Sequence, residues 1–349
     1  MEFAVMNLFP QLRDKSEKEI IEQATEQLVY AEELGFDSVW LAEHHFSEYG
    51  ILGNPLIFAA SLAAKTKRIR IGTAVMILPF YNPLRLAEDA AVVDILSNGR
   101  LELGIGRGYQ PAEFKGFGID QNEARGRFNE TVEILQQAWS QGEVNFSGKY
   151  FHYEGVRVYP KPIQKPGIPL HFAAVSNDTF TINGSLGRPI LTSPNFTPLD
   201  IIKRNFEIYR NSLTENGFDS SNYKFPLMQQ VYVAESPEEA KRDSLEHSKW
   251  YYDLLATLLP GSRGEKAAEE YKFYEKVQKS TATLSKEIIE SSGGNFGSPE
   301  EVIQRLKYME ENIGISQYIC WFNFGQLEYK QVIKAMELFA KEVIPAFQK

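Results

Sequence analysis

The stretch LGFDSVWLAEHHF, residues 34–46, contains the unit from which the rest of the chain is built. A predicted helix over residues 17–34 ends at Gly35, because glycine readily adopts the left-handed conformation that closes a helix. The short apolar strand DSVWL follows, and it finishes abruptly on Glu43, His44 and His45. This pattern predicts a helix, then a buried strand, and then a cluster of polar side chains at the end of that strand.

The same alternation of helix and strand continues in both directions from this stretch. Short apolar strands separated by helical segments are typical of a parallel sheet, and eight such repeats predict a closed barrel. We therefore expect an α/β chain that forms a single (β/α)₈ TIM-barrel domain over residues 1–349. The predicted strands are residues 3–9, 37–41, 69–78, 100–106, 169–174, 188–193, 227–234 and 316–322.

Two segments interrupt this rhythm. Residues 144–169 alternate polar and apolar side chains around Gly148 and Gly155, a pattern that predicts a β-hairpin insertion. Residues 259–297, after the helix that follows strand seven, are rich in charged and small side chains. Loops of this length within a barrel are usually functional or disordered. We interpret this one as a mobile lid with some helix in it, although a surface insertion without a role is the alternative.

Composition excludes several classes of function. The 349 residues are 43% hydrophobic and 24% charged, with a net charge of −9, which argues against a nucleic-acid partner. Apolar runs of membrane-spanning length and a signal peptide are not predicted. Since Cys320 is the single cysteine, neither an intrachain disulfide nor a cysteine-based metal cluster is expected. These features predict a cytoplasmic protein.

The polar end of strand two predicts a site. Active sites of (β/α)₈ barrels form where strands end and the following loops begin, so Glu43, His44 and His45 are candidates for the mouth of the barrel. At least one of the two histidines should face inward, because adjacent side chains diverge. A solvated loop is the alternative. We do not favour a metal site, since His152, His171 and His247 are scattered along the chain.

Residues after strands four and five predict an anion site. Arg107 lies between two glycines that let a ligand approach the backbone, and its forked guanidinium suits a phosphate. Ser176 and Thr179 stand at the start of a predicted helix, where an anion is favoured, although Ser176 has simple helix capping as an alternative role. Arg125 also begins a helix, where a cation needs a compensating anion. That anion is either a bound phosphate or a nearby carboxylate, Glu123 or Glu130.

Three long motifs, in the same order, resemble the bacterial luciferase family of flavin monooxygenases, most of all its catalytic alpha chain. They are GFDSVWLAEHHFSEYGILGNP, GTAVMILPFYNPLRLAEDAAVVDILSNGRLELGIGRG and FGIDQNEARGRF. The resemblance implies a (β/α)₈ barrel that binds reduced FMN at its mouth. It implies that His44 is catalytic and that Arg107, Arg125, Ser176 and Thr179 hold the flavin phosphate. It also implies a non-proline cis peptide between Ala74 and Val75 beneath the flavin ring.

The chain departs from the family pattern at three positions. Gly106 stands where some luciferases carry a reactive cysteine, Pro194 stands in place of an aromatic residue, and Val175 replaces a glutamate in the phosphate loop. Backbone N–H groups can still bind the phosphate at Val175, so Val175 stays among the expected cofactor contacts. Gly106 is also expected to contact the cofactor. Strong luminescence is not expected from the altered pocket.

The resemblance implies a two-component monooxygenase. A separate flavin reductase would supply FMNH₂, and O₂ would form a C4a-peroxide that oxidises an apolar substrate such as an aldehyde or ketone. We expect His44 to exchange protons, Glu43 to orient it, and Phe46, Tyr109 and Trp250 to line the substrate pocket. The alternatives are a non-catalytic partner chain similar to the luciferase beta subunit, and a deazaflavin-dependent oxidoreductase on the same barrel.

The helix predicted over residues 55–64, PLIFAASLAA, suggests self-association. It is apolar almost all round, which is more than one buried face requires, and its small residues allow a second helix to approach closely. We therefore expect a homodimer. The alternative is that the protein's own loops cover this helix.

Overall fold

Parallel strands and helices alternate along the chain from its first residues. The computed structural model describes residues 1–194, 197–262, 264, 267–290 and 294–348. The strands are β1 (Glu2–Asn7), β2 (Ser38–Leu41), β3 (Arg70–Ile77), β4 (Leu101–Gly106), β5 (Val144–Ser147), β6 (His152–Val156), β7 (Leu170–Ala173), β8 (Ile190–Leu191), β9 (Pro226–Val233), β10 (Gly294–Gly297) and β11 (Gln317–Trp321). The helices are α1 (Glu17–Glu33), α2 (Pro55–Lys65), α3 (Pro83–Leu96), α4 (Pro111–Phe117), α5 (Ala124–Ser140), α6 (Asn177–Ser185), α7 (Leu199–Glu215), α8 (Pro237–Leu258), α9 (Lys272–Thr281), α10 (Lys286–Ile288), α11 (Pro299–Asn312) and α12 (Tyr329–Leu338).

The main sheet is the predicted barrel. Its strand order is β10-β9-β11-β1-β2-β3-β4-β7-β8, and all of these neighbours pair in parallel. The sheet closes between β8 and β9, where the backbone N–H of Met228 in β9 donates to the carbonyl of Thr192, just after β8, 3.0 Å away. Eight of the strands coincide with the eight predicted ones, so the (β/α)₈ prediction is confirmed.

A ninth strand, β10, lies inside the segment predicted as a loop. Its sequence is GNFG, and two glycines give it little intrinsic preference for a strand. The strand forms because residues 294–297 pair with the last four residues of β9, from Gln230 to Val233. The segment predicted as a lid therefore ends before β10. Its described part contains α9 and α10, in agreement with the expectation that the segment includes some helix. The mobility of the segment stays a prediction.

The hairpin insertion is confirmed, because β5 and β6 pair antiparallel. The Glu130 carboxylate on α5 fastens the turn between them by accepting hydrogen bonds from the backbone N–H groups of Lys149, Tyr150 and Phe151, at 2.7 to 3.0 Å. This contact joins the insertion to the helix that follows strand four, at the outside of the barrel.

Four helices begin with the same two-residue signal. An Asn or Ser side chain accepts a hydrogen bond from a backbone N–H of the first turn, and a proline follows at the first helical position. This arrangement satisfies an N–H that the helix itself leaves unpaired, and proline has no N–H to leave unpaired. The cap pairs are Asn54-Pro55, Asn82-Pro83, Ser236-Pro237 and Ser298-Pro299.

The lower end of the barrel interior is filled. The Trp40 ring occupies the space beside Gly72, where any Cβ would collide with it. Arg70, Glu102 and His171, near the starts of β3, β4 and β7, form a buried charged cluster: Arg70 Nε bonds one Glu102 oxygen and His171 Nε2 lies 3.1 Å from the other. Among the described residues, these side chains fill the barrel interior at the amino ends of the strands.

The last helical segment of the chain is divided. Helix α12 covers its first half, and a π-helical turn, Phe339–Val343, and a short 3₁₀ helix, Ile344–Phe347, carry the chain onward. None of the described helices combines the length and the apolar character that crossing a bilayer requires.

Candidate active site

A cavity of about 280 Å³ opens at the carboxyl ends of the barrel strands. It collects residues from all eight barrel strands or the loops that directly follow them, as active sites in this fold do. Phe46 and Trp250 are not among its lining residues. The predicted site residues that line it are Glu43, His44, Ala74, Val75, Gly106, Arg107, Tyr109, Arg125, Val175, Ser176 and Thr179.

The two adjacent histidines have different carboxylate partners. His44 Nδ1 lies 3.1 Å from Glu113 Oε1, and His45 Nε2 lies 2.9 Å from Glu43 Oε1. The expectation that Glu43 orients His44 is therefore wrong. The physical reason is that neighbouring side chains on an extended chain diverge, so the acid next to His44 in sequence faces the other histidine. Of the two histidines, His44 lines the cavity.

Glu113 is the residue that orients His44. It lies on α4, immediately after strand four, and is 1% exposed. Its Oε1 also accepts the backbone N–H of His45 at 3.0 Å, so one oxygen ties the loop and the imidazole together. Because a carboxylate can only accept, Nδ1 of His44 carries the hydrogen in this pair and Nε2 is left to accept a proton.

Gln110 completes the surroundings of His44. Its side-chain amide lies 3.1 Å from His44 Nδ1, and because Nδ1 carries a hydrogen, only the amide oxygen of Gln110 could accept from it. Among the described residues, Gln110 Oε1 and Glu113 Oε2 are buried without a hydrogen-bond partner. Sequence reasoning missed both residues. The available signal was the Gln110-Pro111 helix start directly after strand four, which places the first turn of α4 over the mouth of the barrel.

Glu43 has a structural task at the rim. Its Oε2 accepts hydrogen bonds from the backbone N–H of Ile77 at 3.0 Å and from the Tyr81 hydroxyl at 2.9 Å. Burial raises the pKa of the Glu43 carboxyl, and the hydrogen bonds from His45, Ile77 and Tyr81 only partly offset that effect. Glu43 thus joins the end of β2 to the end of β3 and holds His45 away from the cavity.

One wall of the cavity carries three tyrosine hydroxyl groups. Tyr49 and Tyr251 lie 2.8 Å apart at their hydroxyl oxygens, and the Tyr109 hydroxyl donates to Tyr49 over 3.4 Å. The His44 ring meets the Tyr49 ring edge-on at 4.5 Å. Burial raises the pKa of Tyr49 well above its usual range, so this phenol stays protonated beside His44.

Two predicted pocket residues lie elsewhere. Phe46 has a positive φ of 59° and is 65% exposed, and it packs against Phe117 outside the cavity. Trp250 lies on α8 beside Tyr251, and one residue corresponds to a rotation of about 100° around a helix, so Tyr251 faces the cavity instead. Of the three predicted pocket aromatics, only Tyr109 lines the cavity.

The predicted anion site contains two arginines that converge on one carboxylate. Arg107 Nη1 donates to Glu270 Oε2 and Arg125 Nε donates to Glu270 Oε1, both at 2.6 Å. Neither carboxylate suggested by the sequence is the partner of Arg125. Glu123 pairs with Arg127, and Glu130 holds the hairpin turn. Glu270 belongs to the insertion between α8 and α9, which has no sequence pattern linking it to strand four.

The amino end of α6 also lies at this cavity. Val175, Ser176 and Thr179 line the cavity there, and the Thr179 hydroxyl oxygen accepts the backbone N–H groups of Val175 and Ser176, both at 3.1 Å. Two guanidinium groups and a helix amino terminus at one cavity rim fit a phosphate-bearing ligand.

The inner floor suits a flat ring. The Ala74–Val75 peptide bond is cis, as the resemblance implied. A Cβ at Gly106 would lie 2.6 Å from Val75 Cγ2, so only glycine leaves room at this point of β4. Among the described residues, no group of three His, Cys, Asp or Glu side chains is arranged to hold a metal ion.

Comparison with known proteins gives relatives of matching length. The chain is 30% identical over 344 residues to the alkanal monooxygenase alpha chain of the Kryptophanaron alfredi symbiont, covering 96% of this chain and 94% of that one. It is 28% identical over 346 residues to the oxygenase component of the flavin-dependent trigonelline monooxygenase of Acinetobacter baylyi, with 95% and 91% covered.

Solved structures share the fold over the whole chain. The monooxygenase RslO1 from Streptomyces bottropensis matches with a TM-score of 0.86 at 26% identity, with 100% of both chains covered. An F420-dependent secondary alcohol dehydrogenase matches with a TM-score of 0.79 over 100% and 99% of the two chains. At 20% identity this second likeness is one of fold alone.

A family model described as luciferase-like monooxygenase matches residues 1–317, which include every residue of the cavity described above except Trp321. The chain therefore belongs to the luciferase-like monooxygenase family.

Proposed function

We propose that this protein is the oxygenase component of a two-component flavin-dependent monooxygenase. It would use reduced FMN and O₂ to oxidise an apolar small molecule such as an aldehyde or ketone. The observation that carries the proposal is a single cavity lined by Arg107, Arg125 and His44, with His44 paired to Glu113. The names of two relatives, an alkanal monooxygenase and a trigonelline monooxygenase oxygenase component, support it.

The residues divide the task between binding and proton transfer. Arg107, Arg125 and the amino end of α6 would hold the flavin phosphate, and the floor at Val75 and Gly106 would support the ring. When bound, reduced FMN supplies the electrons that activate O₂. His44 would exchange a proton through Nε2 while Glu113 holds Nδ1, since a base must be fixed within hydrogen-bond reach of the reacting group.

The apolar side of the cavity would exclude water and accept the substrate. Val75, Phe172 and Trp321 line it together with the tyrosine wall. A closed apolar surface protects oxygenation from competing hydrolysis. The segment between α8 and β10 would contribute to this closure, because Glu270, Phe273 and Tyr274 already line the cavity from that side.

Two protein partners follow from this proposal. A separate flavin reductase would deliver FMNH₂, in line with the word component in the name of the trigonelline relative. A homodimer is supported by apolar residues on the outer faces of α2 and α3, where Ile57 is 72% exposed and Val92, Ile95 and Leu96 are also exposed. The inner face of α2, with Leu56, Ala59 and Leu62, packs in the protein's own core.

The test is a comparison of FMN with riboflavin on an Arg107→Ala variant. A charged hydrogen bond contributes about 1.5–3 kcal/mol, so the FMN dissociation constant should rise roughly 10- to 100-fold. Riboflavin has no phosphate, and its dissociation constant should change less than about twofold. Isothermal titration calorimetry measures both constants directly.

Arg127→Ala is the matched control. Arg127 lies on the same helix as Arg125 but pairs with Glu123 and lies over the Tyr150 ring, outside the cavity. It should leave FMN binding unchanged. Equal losses for FMN and riboflavin in Arg107→Ala, or an equal loss of FMN binding in Arg127→Ala, would contradict the phosphate assignment.

Anaerobic titration with the reduced cofactors, followed by mixing with ¹⁸O₂, separates the remaining alternatives. A monooxygenase should bind FMNH₂ and transfer one atom of ¹⁸O₂ to an apolar aldehyde or ketone, as mass spectrometry of the product would show. A partner chain similar to the luciferase beta subunit would bind no flavin. A deazaflavin enzyme would bind the reduced deazaflavin in preference to FMNH₂ and incorporate no ¹⁸O.

A further inference from the structure

The Glu270 carboxylate occupies the position of an anion between Arg107 and Arg125. Each of its oxygens accepts one guanidinium N–H at 2.6 Å. The arginines come from β4 and α5, whereas Glu270 comes from the insertion that follows α8. Among the described residues, these are the ion pairs that Arg107 and Arg125 make. The donors that a phosphate would use are therefore already engaged by a side chain of the same protein.

Buried aromatic contacts hold Glu270 in this place independently of its charge. Glu270 lies in a short 3₁₀ turn, Glu269–Tyr271. The next side chain, Tyr271, is 1% exposed and packs against Phe114, and Arg107 lies over its ring at 5.6 Å. Tyr274 stacks on Tyr109 with 5.5 Å between ring centroids. The segment is thus anchored by its aromatic residues, and the glutamate side chain can leave the arginines without the segment detaching.

Charge decides which ligand can take the place of this carboxylate. The side chains of Arg107, Glu270 and Arg125 are 23%, 39% and 47% exposed, so the ion pairs are partly screened and exchangeable. A phosphate monoester carries roughly 1.5 to 2 negative charges at neutral pH, against one for a carboxylate. A phosphodiester carries a single charge and gains nothing by the exchange.

We propose that Glu270 is an internal competitor for the phosphate site, and that it restricts cofactors to those with a dianionic phosphate monoester. This inference rests on the proposed function, because it takes Arg107 and Arg125 to be the phosphate-binding residues. It adds a specificity-determining residue to that site. A flavin without a phosphate, or with a singly charged phosphodiester, leaves Glu270 on the arginines and binds through its ring alone.

A purely structural role for Glu270 predicts the opposite result. If the carboxylate served only to hold the two guanidinium groups in position for a phosphate bound beside it, neutralising Glu270 would loosen the arginines and weaken FMN binding. The direction of the change in affinity therefore separates a competitor from a positioning residue.

The experiment is calorimetric titration of Glu270→Gln with FMN, riboflavin and the 5′-phosphate methyl ester of riboflavin. Removing two partly exposed ion pairs should tighten FMN binding about tenfold and leave riboflavin unchanged. In the unmodified protein the methyl ester should bind no better than riboflavin. In Glu270→Gln it should bind better than riboflavin, because its single charge then meets free guanidinium groups.

Glu269→Gln is the matched control. Glu269 is the neighbouring residue in the same turn, and its ion pair is with Lys272, at a side chain that is 81% exposed. This variant removes the same charge from the same segment and should leave FMN binding unchanged. If FMN bound more tightly to both variants by the same factor, the cause would be the lower negative charge of the segment, and the proposal would be overturned.

The outcomes also separate this proposal from the proposed function. If Arg107→Ala weakens FMN binding and Glu270→Gln fails to tighten it, the competitor role is wrong while the phosphate site stands. If Arg107→Ala has no effect on FMN, the phosphate site itself is wrong. Thermal unfolding of both glutamine variants tests whether the fold is retained. With the fold retained, weaker FMN binding by Glu270→Gln would contradict the proposal.

Discussion

The lower and upper halves of the barrel interior differ along a single strand. Glu102, Gly104 and Gly106 lie on one face of β4, since side chains alternate along a strand. At the bottom, Glu102 is enclosed with Arg70 and His171 beside the Trp40 ring. At the top, the glycines carry no side chain and a cavity begins. Along β4, the inward-facing residue is a glutamate where the interior is filled and a glycine where the cavity begins.

The buried glutamates at the two ends behave in opposite ways. Burial disfavours the charged form of Glu102, but His171 and Arg70 outweigh burial and lower its pKa to about 2. Burial likewise acts on Glu43, where the partners are His45, the Ile77 N–H and Tyr81, and there the pKa is raised. The two sites differ in their partners, because Glu102 faces both His171 and Arg70, whereas Glu43 faces His45, a backbone N–H and a phenol.

The strongest test of the comparison is His44→Ala against His171→Ala. His44 stands at the open end with its Nε2 left to accept a proton, so its loss should reduce oxygenation roughly 100- to 10,000-fold while folding is retained. His171 is in the closed end, and His171→Ala should change turnover per folded molecule less than about twofold. Product formation after mixing the FMNH₂-loaded protein with O₂ and substrate measures both.

A large loss of turnover in His171→Ala would show that the two ends are not independent. Full turnover in His44→Ala would remove the imidazole from the chemistry, even if the fold and FMN binding stayed intact.

Glu102→Gln should have the next largest effect, on stability rather than on turnover. It leaves Arg70 without its buried counterion, and we expect a loss of about 3 kcal/mol in the free energy of unfolding. Urea denaturation measures this value. Glu123→Gln, which breaks the partly exposed pair with Arg127, is the control and should cost about 1 kcal/mol or less.

The effect of Glu102→Gln should depend on pH in a defined direction. The pKa of Glu102 is about 2 in the folded protein, and an unfolded glutamate titrates near pH 4.3. A lowered pKa contributes stability that is present above the unfolded value and lost as pH falls through the folded value. The difference in unfolding free energy between the parent and Glu102→Gln should therefore shrink as the pH falls from about 5 towards 2.

Glu43→Gln should show the opposite slope. The pKa of Glu43 is raised in the folded protein, so ionisation of the unfolded chain lowers the stability of the parent as the pH rises above about 4.3. The glutamine variant lacks this term, and its stability relative to the parent should improve with pH. If the stability difference from the parent changed with pH in the same direction for Glu102→Gln and Glu43→Gln, the opposite pKa shifts of the two glutamates would be contradicted.

The smallest effect is expected for Phe46→Ala. Phe46 follows the two histidines in sequence but packs on Phe117 outside the cavity, so its removal should change the KM for substrate less than about twofold. Tyr109→Ala, at the tyrosine wall, should raise KM several-fold by comparison. Steady-state kinetics on both variants tests this order. A larger rise in KM for Phe46→Ala than for Tyr109→Ala would indicate that Phe46 contacts the substrate.

The fold was predictable because its signals are local. Each of the eight predicted strands is a short, largely apolar run, most helices have a side-chain cap or a following glycine, and these features need no distant partner to be recognised. Strand β10 was missed for the same reason, since GNFG has no apolar pattern and becomes a strand only against β9. The polar ends of the strands were also sufficient to bring His44, Arg107 and Ser176 to one rim, because all parallel strands of a barrel end at the same face.

The sequence by itself thus determined the barrel, the end of it that opens and the arginine and histidine side chains found there. Only the tertiary structure decided the partners. Glu113 is 69 residues from His44, and Glu270 is 163 residues from Arg107. Periodicity tells on which face of an element a side chain lies, but it does not tell which carboxylate from a distant helix or insertion comes to stand opposite. That choice is made by how α4 and the segment before α9 pack over the mouth, through buried contacts such as those of Phe114 and Tyr271.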